Sequence, residues 1–488
     1  MTGRFSATLR LGNLNDYIAP SQSCIVSLKG GLKATPKSKT QDVLVQIQEK
    51  VPPRSDPSIL EPVKVTLHDC LACSGCLTSA ETVMLEQQSV NEFLSHIRSG
   101  ENAVVVSVSP QSRASLATYY GLTPLQVFKK LTGFLKSLGV KAVFDTSCSR
   151  DLSLIEACEE FVQCYKGQFS GENDQLKSSL PMLASACPGW ICYAEKTLGP
   201  CILPYISTVK SPQQAMGAII KHHVSKKMGL VPEKIYHVTI MPCYDKKLEA
   251  VRDDFIFSVE RQGETGQEAA GPRVSEVDCV LTSGEMLDLF KMKNIDFKSL
   301  EEAPLDRLLT NVDDKGHLYG VRGGSGGYAE TIFCYAAKQL YGKDIKGPLD
   351  FKILRNSDFR EIYLEVNGEK VLKVALCYGF RNLQNIVRKI KAGKSDYHFV
   401  EVMACPAGCL NGGGQIKPNQ GQSVKDLIQS LESSYLEEVL VADPFENPLV
   451  KGLYDEWLGK PGSEKAVKFI HTEYHHRERS IGSELSNW

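Results

Sequence analysis

Short solid runs of apolar residues alternate along this chain with longer stretches in which apolar positions recur every three or four residues. Ala103 to Val108, AVVVSV, and Lys141 to Thr146, KAVFDT, are of the first kind; Ser115 to Leu138 and Leu152 to Lys166 are of the second. A solid run bounded by turn residues predicts a strand buried on both faces, and the three-four spacing predicts a helix with one apolar side. The same reading predicts strands over 180–186 and 235–241 and a helix over 211–228. It resumes with a strand at Asp278 to Thr282 and a helix at Glu285 to Lys293. A glycine-rich turn, Gly323 to Gly327, leads into a helix from Tyr328 to Leu340. Strands over 361–366 and 371–377 and a helix over 381–392 precede a β-rich run from Tyr397 to Met403. Strands separated by helices argue for a mainly parallel sheet covered on both faces. The expected fold class is therefore α/β, with two lobes of mainly parallel sheet flanked by helices.

The ends have a different texture. Residues 1–99 read as a small, loosely ordered N-terminal unit. Within it Asp42 to Lys50 alternates, Val51 to Pro62 is a proline-rich connector, and Thr78 to Arg98 has helical spacing. The first lobe spans 100–260. The polar, glycine-rich stretch Arg261 to Arg273 separates it from a second lobe at 275–415, and a cleft between lobes is the natural place for a ligand. Residues 416–488 hold a helix-like stretch, Val424 to Val441, a short amphipathic piece, Pro448 to Leu458, and a charged, His-rich segment, Lys468 to Arg479, before a tail ending at Trp488.

Charge removes two partner classes from the expectation. Lys plus Arg number 56 against 57 Asp plus Glu, a formal net charge of −1, so no bulk field favours nucleic acid or an anionic membrane. No apolar stretch approaches the roughly 20 residues of a membrane helix, and the N-terminus has no secretory pattern. A cytosolic location follows as the expectation. Sixteen cysteines are many for such a compartment, where disulfides are rare and clustered thiols bind metal or do redox chemistry.

The positions of these cysteines carry the argument. Cys70, Cys73 and Cys76 form C-x2-C-x2-C, a spacing that lets three thiolates face one centre, as at the start of a bacterial ferredoxin run whose fourth ligand lies elsewhere. Cys24 is the only other cysteine in the first 140 residues and is the candidate fourth. Zinc held by the same thiols, and three idle core thiols, are the alternatives. The second group stands at strand ends beside proline or glycine: Cys187 before Pro188-Gly189, Cys243 after Pro242, and Cys405 and Cys409 in EVMACPAGCLNGGGQ, 401–415. Ligands in open α/β sheets sit beyond the carboxyl ends of strands, so these four thiols are expected to meet at one crevice. Glycines 412 to 414 would let backbone pass close to a bulky group there. The other eight, Cys148, Cys158, Cys164, Cys192, Cys201, Cys279, Cys334 and Cys377, read as small apolar core residues.

Three blocks, ASACPGW (184–190), MPCYDKKLEA (241–250) and EVMACPAGCLNGGGQ (401–415), resemble the three active-site signatures of iron-only hydrogenases. FDTSCSRDLSLIEACEEF (144–161) and KSPQQAMGAIIK (210–221) are similar to the segments between them. The resemblance covers about 65–460 and implies an iron-only hydrogenase-like fold, with 416–488 as small-subunit-like helices and tail. It implies that Cys187, Cys243, Cys405 and Cys409 ligate a buried [4Fe-4S] cluster, with Cys409 the one that bridges to a diiron subsite in a hydrogenase. The family's proton-relay cysteine is replaced by Ala186, and a methyl group cannot carry a proton. No catalytic residue is therefore expected, and hydrogen turnover is expected to fail. Lys246 and Glu249 match residues of the family's diiron site and proton path; on this chain they read as a surface helix turn.

These departures, with RFSATLRLGNLNDYIAPSQSCI (4–25), resemble the eukaryotic branch called cytosolic iron-only hydrogenase-like, or nuclear prelamin A recognition factor-like. That resemblance implies two [4Fe-4S] clusters, the first on Cys24, Cys70, Cys73 and Cys76. It further implies a part in cytosolic iron-sulfur protein assembly, with the targeting complex and its apoprotein clients as partners, in the cytoplasm and extending to the nucleus. An active hydrogenase or other redox enzyme is the alternative. Trp488 is a weak candidate for docking the targeting complex, since Leu485 stands one place too far from it. Gly323 to Gly327 lacks the lysine of a phosphate-binding loop and reads as close helix packing. His471, His475 and His476 read as part of a solvated terminal segment.

Overall fold

The computed structural model describes residues 8–9, 63–64, 88–170, 180–259 and 271–476. The chain divides into two compact units, Met1–Val83 and Met84–Trp488. Of the first, one antiparallel pair is described, Thr8 opposite Lys64 and Leu9 opposite Val63. Cys24, Cys70, Cys73, Cys76 and Trp488, and the first part of the helix expected from Thr78, lie outside the described residues.

The second unit is built on two sheets. The first is wholly parallel, in the order Ala142–Asp145, Ala103–Val108, Ile235–Met241, Cys279–Thr282. Every residue of Ile235–Met241 is buried, as a strand between two neighbours and under two layers of helices must be. Its polar members find partners inside: His237 meets the Ser107 hydroxyl at 2.9 Å and the Glu276 carbonyl at 3.1 Å, and Thr239 donates to Gln213 at 3.0 Å. The second sheet runs Lys352–Ile353, Phe359–Val366, Glu369–Tyr378, Phe399–Met403, Met182–Ala184. Its first three strands are antiparallel and its last three parallel, so it is mixed rather than mainly parallel. The reason is local. Asn367 and Gly368, both at positive φ, join Phe359–Val366 to Glu369–Tyr378 as a tight hairpin, which only antiparallel strands can use.

Chain order does not predict sheet membership. Met182–Ala184, expected in the first lobe, pairs beside Phe399–Met403 in the second sheet, and Cys279–Thr282, expected in the second, pairs beside Ile235–Met241 in the first. Buried parallel strands have near-identical apolar faces, so nothing in either run specifies its neighbour.

The helices follow the expected periodicity with differences at three places, one of them the stretch over 211–228, where the α-helix Pro212–Ala218 widens into a π-helical turn, Ile219–Val224. The stretch expected as one helix from Ser115 is two, Pro110–Tyr120 and Pro124–Leu138. Gly121 at φ 63° caps the first, and Thr123 with Pro124 opens the second with a reciprocal capping box to Gln126. The segment expected as helix to Val441 ends at Leu436, and Val439–Val441 becomes a strand parallel to Leu318–Gly320. Among the described residues no helix is long and apolar enough to cross a membrane.

Candidate metal centre

Three parallel strand ends deliver the four thiols of the second group. Met182–Ala184 and Phe399–Met403 are neighbours, with Ala184 opposite Glu401, so Cys187 and Cys405 leave the sheet side by side. Ile235–Met241, of the other sheet, ends two residues before Cys243. Cys187 begins the helix Pro188–Tyr193, and its amide is held by Ser185 Oγ at 3.0 Å. Cys405 enters a tight loop in which Ala407 (φ 56°) and Gly408 (φ 66°) take left-handed backbone. A Cβ on Gly408 would lie 1.7 Å from Ser325 Oγ, so only glycine lets the chain turn there. The loop is pinned by Ala407 N–H to Asp358 at 2.7 Å and by Cys409 N–H to Ser325 Oγ at 3.0 Å.

The glycine run has a different neighbour from the one expected. A Cβ on Gly412 would lie 2.3 Å from the Pro242 carbonyl oxygen, and one on Gly414 would lie 2.6 Å from Thr282 Cγ2 and 3.2 Å from the Cys243 amide nitrogen. The Gly414 N–H donates to the Pro242 carbonyl at 2.9 Å. The glycines thus press the 405–414 loop, which follows a strand of one sheet, onto the Pro242-Cys243 turn, which follows a strand of the other. Gly189 does the same for the third segment, since a Cβ there would meet the Asp245 carboxylate at 2.6 Å.

Cys187 is buried, while Cys243, Cys405 and Cys409 are partly exposed beside exposed Tyr244, Pro406 and Gly413. The site is therefore less enclosed than expected. Burial pushes all four thiols up, and neighbouring negative charge adds to it: Cys187 is raised further by Asp245, Cys243 by Asp245, Cys187 and Cys405, Cys409 by Cys187 and Cys405, and Cys405, at about 12, by Cys187 and Asp245. Four buried soft donors with raised pKa stay protonated at neutral pH unless a metal cation takes the place of the proton. The donor set fits an iron-sulfur group. Among the described residues, no three His, Cys, Asp or Glu side chains form a group that could hold a metal ion.

Lys246 and Glu249 are not a surface turn. Both are buried; Lys246 Nζ lies 2.8 Å from Glu249 and 3.0 Å from the Ser211 hydroxyl, and Glu249 also accepts from Ser211 and Gln213. Their short helix, Asp245–Ala250, packs inward against the helix after Cys187, which turns both long side chains away from water. A cavity of about 50 Å³ is lined by Ala186, Lys246, Cys409, Gln213, Ser325 and Arg150, among others. At Ala186 the chain offers that cavity a methyl group.

The other candidates resolve as packing. Gly324 faces Leu410 and its carbonyl accepts from Gln111 at 2.9 Å, so the Gly323 to Gly327 turn seats the helix Tyr328–Tyr341 against the 405–414 loop. His471 is not solvated: it bridges Thr208 at 2.7 Å and Glu156 at 3.1 Å. His475 and His476 are exposed, as expected, although the His475 amide donates to Glu195 at 3.1 Å and His476 lies against Gly199. Cys148, Cys158, Cys164, Cys279 and Cys377 are buried, Cys192 and Cys334 partly so, and Cys201 is exposed.

A hydrogen-bonded group behind Cys409 escaped the sequence reading. Glu401, with no exposed surface, accepts from Tyr378 Oη at 2.8 Å and from the Ala329 amide at 2.8 Å, and Tyr378 also bonds Ser325, the acceptor of the Cys409 N–H. The available signal was a lone glutamate inside the apolar run FVEVM, since a buried carboxylate needs dedicated partners.

Two sheets whose parallel strands lead into cysteine-bearing turns define a class, and comparison with known families agrees. Residues 102–413 match the iron only hydrogenase large subunit, C-terminal domain, and residues 434–477 the iron hydrogenase small subunit. The solved apo [FeFe]-hydrogenase HydA1 from Chlamydomonas reinhardtii is 29% identical, with a TM-score of 0.67 over 80% of this chain and 99% of that one. The nearer kin are of another kind. Protein NAR1 of Arabidopsis thaliana is 61% identical over 489 residues, covering 100% of both chains. The cytosolic Fe-S cluster assembly factor narfl of Xenopus tropicalis is 47% identical over 498 residues, again covering 100% of both. The chain belongs to this family of hydrogenase-like cytosolic iron-sulfur assembly proteins.

Proposed function

We propose that this protein works in cytosolic iron-sulfur protein assembly, carrying two [4Fe-4S] clusters and handing clusters or electrons to cytosolic and nuclear apoproteins through the targeting complex. One cluster is held by Cys24, Cys70, Cys73 and Cys76, the other by Cys187, Cys243, Cys405 and Cys409. The observation that supports the second assignment is that three strand ends from two sheets lead into the four cysteines, with the 412–414 backbone pressed onto the Pro242-Cys243 turn. A cube, in which each thiolate binds a different iron, holds its ligands further apart than a single ion does. When bound, it supplies one-electron exchange. The chain's own part is to aim the thiols: Ser185 and Ser325 fix the amides of Cys187 and Cys409, and the glycines close the two sheets' loops on each other.

Hydrogen evolution is not part of this function, because Ala186 offers no proton where the family's relay thiol stands. The retained Lys246–Glu249 pair and the cavity beside Ala186 favour a second reading, an active iron-only hydrogenase or other redox enzyme. One anaerobic preparation decides. Iron with matching sulfide and no zinc supports the clusters; zinc without iron overturns both readings. Infrared bands from carbonyl and cyanide, together with hydrogen evolution, select the second reading, and their absence with full iron selects the first.

A further inference from the structure

The helix Phe380–Lys391 starts at the cysteine loop. Gly379, its N-cap, donates to the Met403 carbonyl at 2.9 Å, and a Cβ there would sit 3.5 Å from Pro406. Leu383, Ile386, Val387 and Ile390 are buried, which fixes the opposite side as the solvent face. That face carries Arg381, Arg388 and Lys391, with Lys394 just beyond, all exposed. At 100° per residue Arg381, Arg388 and Lys391 fall within one third of the circumference; the fourth helical cation, exposed Lys389, stands off that stripe over the Tyr397 ring at 5.5 Å, and the helix contains no Asp or Glu. Among the described residues none of Arg381, Arg388, Lys391 and Lys394 is paired with a carboxylate. The nearby acids are engaged elsewhere, Asp396 and Glu361 with Lys373 and Asp358 with the Ala407 amide. In a chain of net charge −1, an unpaired cationic stripe is a local device.

We propose that this stripe is a docking surface for an acidic segment of a partner protein, set so that the bound partner lies over the exposed Pro406 edge of the loop bearing Cys405 and Cys409. Charge complementarity selects the occupant, since four unpaired cations attract and orient a carboxylate-rich surface. The helix exposes no large apolar side chain, and such side chains are what seat a basic helix in a lipid interface. The docking itself needs no cluster; its purpose, presenting a partner to the metal centre, rests on the function proposed above.

The test uses the full chain, anaerobically purified, with a fluorescent poly-L-glutamate chain as probe and anisotropy as readout. Arg381→Glu, Arg388→Glu and Lys391→Glu together should weaken binding about tenfold or more, and added salt should weaken the parent alone. The control Lys315→Glu, Lys343→Glu and Lys465→Glu makes the same change in net charge at exposed positions elsewhere and should leave binding within about twofold. Equal losses in both triples overturn the proposal. So does tighter binding of duplex DNA, or of vesicles of phosphatidylserine, that the first triple abolishes. If that triple does not fold, Arg388→Glu alone should show a smaller loss of the same kind, and no loss overturns the proposal. Iron and sulfide are assayed on the same samples: a metal-free parent that still binds the probe refutes the cluster assignment and leaves the docking surface standing.

Discussion

Glu401 shows how one residue couples the fold to the metal centre. Burial raises its carboxyl from 4.5 to about 7, against the lowering effect of the Ala329 amide and Tyr378 hydroxyl that bond it. Between those two values the folded chain holds a proton that the unfolded chain has released, so stability falls as pH rises from about 4.5 to about 7. Glu401→Gln, which cannot ionise, should flatten this part of the profile. Urea midpoints of parent and variant at about pH 5 and about pH 8 measure it, and equal slopes refute the assignment. Gly412 makes a second test. A Cβ there would press on the Pro242 carbonyl at 2.3 Å, and neither backbone can retreat cheaply. Gly412→Ala should cost about 1–3 kcal/mol in chemical denaturation and lower iron content by parting Cys243 from Cys409. Gly413, whose Cβ would meet only Tyr244 at 3.8 Å, should accept alanine with little effect on either.

At the scale of elements, the short helix Asp245–Ala250 decides between two views of Lys246 and Glu249. As surface residues they would tolerate Lys246→Met to within about 0.5 kcal/mol. As a buried pair, losing the ammonium strands the Glu249 carboxylate among Ser211 and Gln213, a change that costs about 3–5 kcal/mol. Equilibrium unfolding of Lys246→Met reads the difference directly. The same element shows why part of the site was legible in sequence and part was not. Cys187, Cys243, Cys405 and Cys409 announce themselves because a thiol beside proline at a strand end has few packing reasons to be there. Ile235–Met241 and Ala103–Val108 lie where their apolar runs predict. Lys246 and Glu249 look like any exposed turn, because burial of a charged pair depends on what packs over it. The pairing of Met182–Ala184 with Phe399–Met403, more than two hundred residues away, leaves no local trace. Gly121 and the Thr123-Pro124 pair that split the expected long helix were visible turn signals, overridden by an apolar spacing that continues across them.

For the whole molecule, the claim is that one chain holds two clusters of different standing. As proposed ligands of one cluster, Cys187, Cys243, Cys405 and Cys409 would tie two sheets together, and their metal would contribute to the fold. Cys409→Ala should therefore lower iron and also thermal stability, whereas Cys73→Ala should lower iron by about one cluster with the melting transition of the large unit retained. Equal, mild effects of both on melting would count against that division. Iron and labile sulfide per chain, assayed side by side on the anaerobic parent and on Cys243→Ala, test the central claim most directly. Two [4Fe-4S] clusters require about eight of each in the parent, falling to about four when Cys243 is lost. An unchanged count in Cys243→Ala, or zinc in place of iron, would contradict it.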